Sequence, residues 1–282
     1  MTKKARFRII ALAVVLAAII AAIPLVIISN SSVECSYYEI RKEDTEGFYG
    51  VRIAQISDLH NAEMGKENEK LLSLLEESDP DIIAITGDMI DSRKTNVDTA
   101  LRFAEKAVMI APCYYVSGNH EARTDQYERL KSGLTKIGVK VLENRVEDIK
   151  LSHKTIRIIG MSDPAFSKSR EISEAQAADN LLSQLKTEEP VFTILLSHRP
   201  ELFEVYVKHG FDLVLSGHAH GGQWRLPFIG GLIAPGQGLF PKYDAGLFSE
   251  NGTNMIVSRG IGNSLFPFRL GNRPQIVVVD II

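Results

Sequence analysis

The sequence predicts an α/β domain whose helices cover the faces of a sheet, preceded by one membrane-crossing helix. Three observations carry that expectation. From Val51 onward, short apolar runs of strand length alternate with segments whose apolar residues recur at helical spacing. Ahead of them, Ile9 to Ile28 contains no charged residue and follows Lys3, Lys4, Arg6 and Arg8. Histidines and short carboxylates gather just past the apolar runs, where loops leave the carboxyl ends of strands.

Residues 1–8 form a basic N-terminus, and 9–28 are about the 20 residues a helix needs to cross a bilayer. That run exceeds the apolar core of most cleavable signal peptides, and no small-x-small cleavage site stands out after it. Pro24 falls late in it, where a kink near the interface is tolerated. The preceding positive charge predicts a single-pass protein of the cell membrane, with its N-terminus in the cytoplasm and everything after Ser29 outside. The alternative is a signal peptide removed near Ser29 to Ser32, leaving a secreted domain. Residues 29–49 read as a polar spacer, with a first strand starting near Ser36, and 50–282 as the main domain.

Within that domain, Val51–Ile56 is a strand that stops at Ser57-Asp58-Leu59-His60. Glu67 to Glu77 is helical through its leucine stripe and ends at Asp79-Pro80. Asp81–Thr86 is a strand stopping at Gly87-Asp88, and a helix over Val97–Met109 leads to the strand Cys113–Val116, which stops at Ser117-Gly118-Asn119-His120-Glu121. A helix at Asp125–Ile137 and a strand at Val139–Leu142 follow. The second half repeats the habit: strand Thr155–Ile159, helix Glu171–Lys186, strand Val191–Leu196 stopping at Ser197-His198-Arg199-Pro200, helix Glu201–Lys208, strand Phe211–Leu215. That last strand opens into Ser216-Gly217-His218-Ala219-His220-Gly221-Gly222-Gln223. Late strands at Asn254–Ser258 and Gln275–Ile281 complete the pattern, and no internal repeat is present.

Apolar content of 45%, charged content of 24% and a net charge of -3 are those of an ordinary globular chain. They give no basic face for nucleic acid. Two cysteines, Cys35 and Cys113, make neither a disulfide framework nor a metal knuckle. Asp58, His60, Asp88, Asn119, His120, His198, His218 and His220 all lie just past an apolar strand, and five of the chain's seven histidines are among them. Carboxylate, imidazole and amide oxygen suit borderline divalent ions such as Mn²⁺, Fe²⁺ or Zn²⁺, and the lack of thiolates argues against a closed structural zinc. Taken singly, Asp88 is equally a helix cap, Asn119 a turn residue and His198 a loop histidine. Their conjunction points to a metal site.

The order Asp58-x-His60, Gly87-Asp88, Gly118-Asn119-His120-Glu121, His198 and Gly217-His218-x-His220 resembles the calcineurin-like metallophosphoesterases, with all five motifs in family order. The run from Gly217 to Pro227 and the later Ser258–Ser264 resemble the membrane-associated bacterial phosphodiesterase branch, although Ala219 stands where threonine is more frequent. The resemblance implies a β-sandwich flanked by helices in αββα layers, and a dinuclear metal centre. It implies that Asp58, His60 and His220 bind the first ion, that Asn119, His198 and His218 bind the second, and that Asp88 bridges them. It further implies a metal-bridging hydroxide as nucleophile and His120 as the histidine that protonates or stabilises the leaving oxygen. Asp58 or Glu121 would orient His120, and Gly118 would permit the turn that aims Asn119 and His120 apart. Arg199 and Arg225 are candidates for the substrate phosphate, each with an ordinary surface role as the alternative.

The expected substrate is a phosphodiester or lipid-linked phosphate. The segment from Trp224 to Phe248 is rich in glycine, proline and large apolar residues and directly follows the metal motif, so it reads as a wall or lid of the cleft, part of it facing acyl chains, with 264–270 extending that surface. Some relatives in the branch hydrolyse the lipid-A precursor UDP-2,3-diacylglucosamine, a cytoplasmic-side molecule. An external domain therefore calls for another substrate, such as a phospholipid or cell-envelope phosphodiester. A phosphomonoesterase or phosphoprotein phosphatase using the same metals is the second reading, disfavoured by the scarcity of arginines in the motif loops. A metal-bound membrane adaptor without activity is the third, disfavoured because every motif residue is present.

Overall fold

The apolar runs become the strands of two facing sheets. The computed structural model describes residues 2–41, 50–151, 154–167, 171–185, 191–264 and 266–282, with the side chains at 15, 18, 19, 21 and 154 left out of the description. In chain order the elements are α1 (Lys3–Ser31), β1 (Glu34–Ile40), β2 (Val51–Ile56), α2 (Glu69–Glu77), β3 (Ile82–Thr86), α3 (Val97–Ala107), β4 (Cys113–Val116), α4 (Tyr127–Ile137), β5 (Lys140–Val141), β6 (Arg145–Leu151), β7 (Lys154–Gly160) and α5 (Glu174–Leu185). Then come β8 (Phe192–Leu196), α6 (Phe203–His209), β9 (Leu213–Ser216), β10 (Arg225–Leu226), β11 (Gly230–Gly231), β12 (Ile233–Ala234), β13 (Gly238–Leu239), β14 (Gly246–Glu250), β15 (Thr253–Val257) and β16 (Gln275–Ile281).

The first sheet has the order β1-β16-β2-β3-β4-β5 and the second β14-β15-β9-β8-β7-β6. β2, β3, β4 and β5 run parallel, as do β7, β8, β9 and β15. Side-chain alternation along each strand divides the core into layers. On β16, Val277, Val279 and Ile281 face the second sheet and pack with Ile156, Ile194, Leu213 and Ile256. Its Ile276 and Val278 face the other way, joining the leucines of α2 and the apolar stripes of α3 and α4. Leu195 and Val214 of the second sheet pack under α5 and α6 with Leu182, Phe203 and Tyr206. The layers are thus helix, sheet, sheet, helix, as expected.

Several expectations needed correction. β6 is absent from the sequence reading because Arg145–Leu151 is mostly polar and pairs as an edge strand with β7 alone. The 224–248 wall is two short hairpins, β10–β11 and β12–β13, followed by the edge strand β14. Most of the polar run assigned to the spacer, at 42–49, lies outside the described residues, as do Lys186 and Leu265. A helix does form over 9–28, and it is longer than its apolar run, with Pro24 inside it. Yet among the described residues no helix is long and apolar enough to cross a membrane. The fold establishes the helix, and a bilayer crossing rests on the sequence alone. Residues on every side of α1 are apolar and exposed, Ile10, Leu12, Val14 and Leu16 among them, so it contributes little to the domain core.

Candidate metal centre

Five parallel strands end at one edge of the sandwich, and their carboxyl ends deliver the site, the usual location in such sheets. Asp58 and His60 follow β2, Asp88 follows β3, Asn119 and His120 follow β4, His198 follows β8, and His218 and His220 follow β9. All eight are buried. Below them Gln55 crosses between the sheets, donating to Thr86 Oγ1 and to the carbonyl of Ser216 at 2.9 Å each. Five of these side chains are carried on left-handed backbone: Asp58, His60, Asp88, His218 and His220 have φ between 45° and 65°. Positive φ is uncommon outside glycine, though Asn, Asp and His adopt it more often than other residues, and such positions concentrate at functional sites.

Two donor clusters result. In one, His220 Nε2 lies 3.2 Å from Asp58 Oδ1 and 3.1 Å from His60 Nε2. In the other, His198 Nε2 lies 3.2 Å from both Asp88 Oδ2 and His218 Nδ1. Asp88 Oδ2 is also 3.5 Å from His60 Nε2, so one carboxylate oxygen touches both clusters. Asn119 places one end of its side-chain amide 2.7 Å from His218 Nδ1 and the other end against the Arg123 guanidinium and the His120 N–H. The carboxylate, imidazole and amide donor set of the two clusters fits divalent ions. His198 Nδ1 sits 2.8 Å from the carbonyl of Thr86, so it is the nitrogen that carries the proton, leaving Nε2 free to bind a metal. Burial pushes the carboxyls of Asp58 and Asp88 up, but the surrounding imidazoles outweigh it and hold both below the usual range.

Neither Asp58 nor Glu121 orients His120. Its Nδ1 accepts the Ser92 N–H at 3.1 Å and lies 3.6 Å from Asp91 Oδ1. Asp91 joins His60 and His120 in a third donor group. It was missed although it stands three residues after Asp88 on the same loop. Burial pushes His120 down to about 4, against the pull of Asp88 and Asp91. Glu121 instead ties two loops together: Oε2 accepts from the N–H groups of Asp88 and Gly118, and Oε1 from Ile90. Gly118 is not in the left-handed region. It must be glycine because a Cβ there would collide with the Asp88 carboxylate.

The cleft over the clusters encloses about 450 Å³ and is lined by Asp88, His120, His218 and His220 together with Arg93, Arg123 and Arg199. Pro235 and Gly236 from the β12–β13 turn, and Ser264, complete its rim. Arg199 is held by a bidentate pair with buried Asp163 at 2.6 and 3.0 Å. Arg225 is not part of the lining, being bound to Asp244 and to the carbonyl of Gly221. Arg93 and Arg123 were missed because they stand outside the motifs, on the loops that follow Asp88 and Glu121.

A family model described as calcineurin-like phosphoesterase matches residues 51–222. The chain is 30% identical over 239 residues to the uncharacterized metallophosphoesterase YkuE of Bacillus subtilis, covering 82% of this chain and 79% of that one. It is 27% identical to phosphodiesterase YaeI of Escherichia coli, covering 73% and 72%. It is 28% identical to a transmembrane protein with metallophosphoesterase domain of Danio rerio, covering 82% of this chain and 53% of that protein. Among solved structures, TT1561 of Thermus thermophilus superposes with a TM-score of 0.52 at 14% identity, over 75% of this chain and 90% of that one.

Proposed function

The chain belongs to the calcineurin-like phosphoesterase family, and we propose that it is a phosphodiesterase acting on a membrane lipid or lipid-linked phosphodiester. The family and the donor clusters make it a metal-dependent phosphoester hydrolase with a dinuclear divalent centre. In our reading Asp58, His60 and His220 hold one ion, Asn119, His198 and His218 the other, and Asp88 is shared. The single observation that carries this assignment is Asp88 Oδ2, within 3.5 Å of an imidazole from each cluster.

Bound divalent ions supply Lewis acidity and lower the pKa of water in such centres. The chain's own residues do the rest. His120 receives the Ser92 N–H on Nδ1, so its neutral ring carries the proton on Nε2. From the cleft wall that Nε2–H can donate a hydrogen bond to the oxygen that leaves phosphorus and stabilise the charge developing on it. Arg199, fixed by Asp163, and Arg93, fixed by Asp91, present guanidinium groups to phosphate oxygens. The diester preference draws on the relative named a phosphodiesterase. A location at the cell membrane, with α1 as anchor and the domain outside, draws on the uncharged run behind basic residues and on the relative named a transmembrane protein.

One observation favours the second reading. Arg93 and Arg123 bring the guanidinium groups along the cleft to three, more than the sequence motifs suggested and suited to a terminal phosphate. The deciding experiment is hydrolysis of bis-(p-nitrophenyl) phosphate and p-nitrophenyl phosphate by the full chain in detergent with Mn²⁺. The diester is expected to be preferred, with kcat falling about 10²-fold or more in Asp88→Asn and His120→Ala. Preference for the monoester would transfer the assignment to a phosphomonoesterase.

A further inference from the structure

Six large apolar side chains stand in solvent around a single tryptophan. Trp224 stacks on Phe268 with ring centroids 5.5 Å apart and packs at a tilt against Phe266 at 4.8 Å. Its neighbour Arg225 donates its N–H to the carbonyl of Leu270. Trp224 accepts the N–H of Leu232, and Leu232 in turn accepts that of Phe240. Leu226, Phe228 and Ile229 at the β10–β11 turn, Leu239 and Phe240 at the end of β12–β13, and Phe268 are all exposed. Phe228 and Phe240 are 108% and 66% exposed and both adopt left-handed backbone, with φ of 68° and 53°. Glycine or asparagine would suit such turn positions better, and these two rings are too exposed to offset the strain through packing. Their retention points to a partner outside the domain.

The same loop meets α1. Asn30, in the last turn of the helix, accepts the N–H of Arg269 at 2.9 Å and donates to its carbonyl at 2.9 Å. Arg273 fastens the next residues by donating to the carbonyls of Ser32 and Val33. The apolar helix therefore leaves the domain beside Phe268, and the patch is continuous with it. Pro235 and Gly236, between β12 and β13, and Ser264, on the Phe268 loop, also form the rim of the metal cleft.

We propose that these apolar tips are a bilayer-docking surface, buried in the headgroup and acyl boundary of the membrane that α1 enters, which holds the cleft mouth against the lipid. The inference rests on the reading of α1 as an anchor. Aromatic and aliphatic side chains at such depth, about 5–10 Å below the surface, are what interfacial contacts use.

Trp224 is the only tryptophan in the chain, so it reports on the patch without labelling. The full chain is reconstituted into phosphatidylcholine vesicles in which part of the lipid carries brominated acyl chains. Flotation with the vesicles reports the anchor, and quenching of Trp224 by bromine against quenching by aqueous iodide reports docking. Flotation with roughly twofold quenching by bromolipid and little by iodide is expected. In a variant combining Phe228→Asn, Ile229→Ser, Leu239→Ser and Phe240→Asn, flotation should persist while bromolipid quenching falls and iodide quenching rises. Asparagine fits the left-handed backbone, and circular dichroism of this variant should match the parent. Flotation with Trp224 open to iodide and untouched by bromolipid overturns the docking surface alone. Absence of flotation overturns the anchor, and with it the inference. A Trp224 shift that follows protein concentration without lipid would assign the patch to a second copy of the chain and also overturn it.

Discussion

Asp58, His60, Asp88, His218 and His220 hold their side chains on left-handed backbone, a conformation uncommon outside glycine that concentrates at functional sites. The glycines nearby serve a different need. Gly118 leaves room for the Asp88 carboxylate, and Gly217 for Ser57 and Asp58. Gly118→Ala should therefore push the Asp88 carboxylate, and the backbone that carries it, out of position, lowering kcat about 10²-fold. Metal content by elemental analysis should fall with it; an active, fully loaded Gly118→Ala protein would contradict the role given to Asp88. The sequence disclosed which residue types gather at the strand ends, because strand-then-loop punctuation is local. It could not disclose Asp91, Arg93 or Arg123, whose position in the cleft depends on how long loops fold back over the sheets.

At the scale of elements, the site depends on loops after β3 and β4 being held together, and Glu121 does this with three backbone N–H groups. Burial first, and Asp88 second, raise its carboxyl to about 7. A carboxyl raised on folding adds stability that is complete below its unfolded pKa, near 4.5, and is lost as pH rises through about 7. Glu121→Gln keeps one acceptor and turns an amide NH₂ toward a backbone donor, which should cost about 1–3 kcal/mol. In chelator-treated protein, thermal unfolding of the parent should weaken between pH 5 and 7. The same scan should be flatter for Glu121→Gln; equal slopes would remove Glu121 from the explanation. The apolar strands and amphipathic helices were legible because their periodicity is strong. β6 and the two hairpins were not, since edge strands need only one apolar face and two-residue strands have no period.

Over the whole molecule, the metal centre lies where the two sheets meet, so ions cross-link the halves of the sandwich: Asp58, Asp88 and Asn119 come from the first sheet, His198, His218 and His220 from the second. Metal at a hundredfold excess over its dissociation constant adds about 2.7 kcal/mol to folding. For a domain of this size that is about 5–10 °C in melting temperature. Removal of metal by chelation should lower the transition by that amount and Mn²⁺ should restore it. Melting curves that coincide with and without metal would mean that the clusters do not bind ions in the folded protein. The layered architecture was anticipated from alternation and family resemblance together, but the pairing of distant strands was not, because register across sheets is set by contacts that no local pattern encodes.

β16 lies between β1 and β2, pairing residues 275–281 with 34–40 on one side and 277–281 with 51–55 on the other. A sheet with an inner strand so far along the chain from both its neighbours cannot assemble progressively during synthesis. Its ladder waits until every element between β2 and β16 has been made, and loop closure over that length is slow. Until then β2 offers a bare apolar edge to any neighbouring strand. Late closure keeps the polypeptide threadable, and it makes the interval before β16 arrives the period in which aggregation competes with folding.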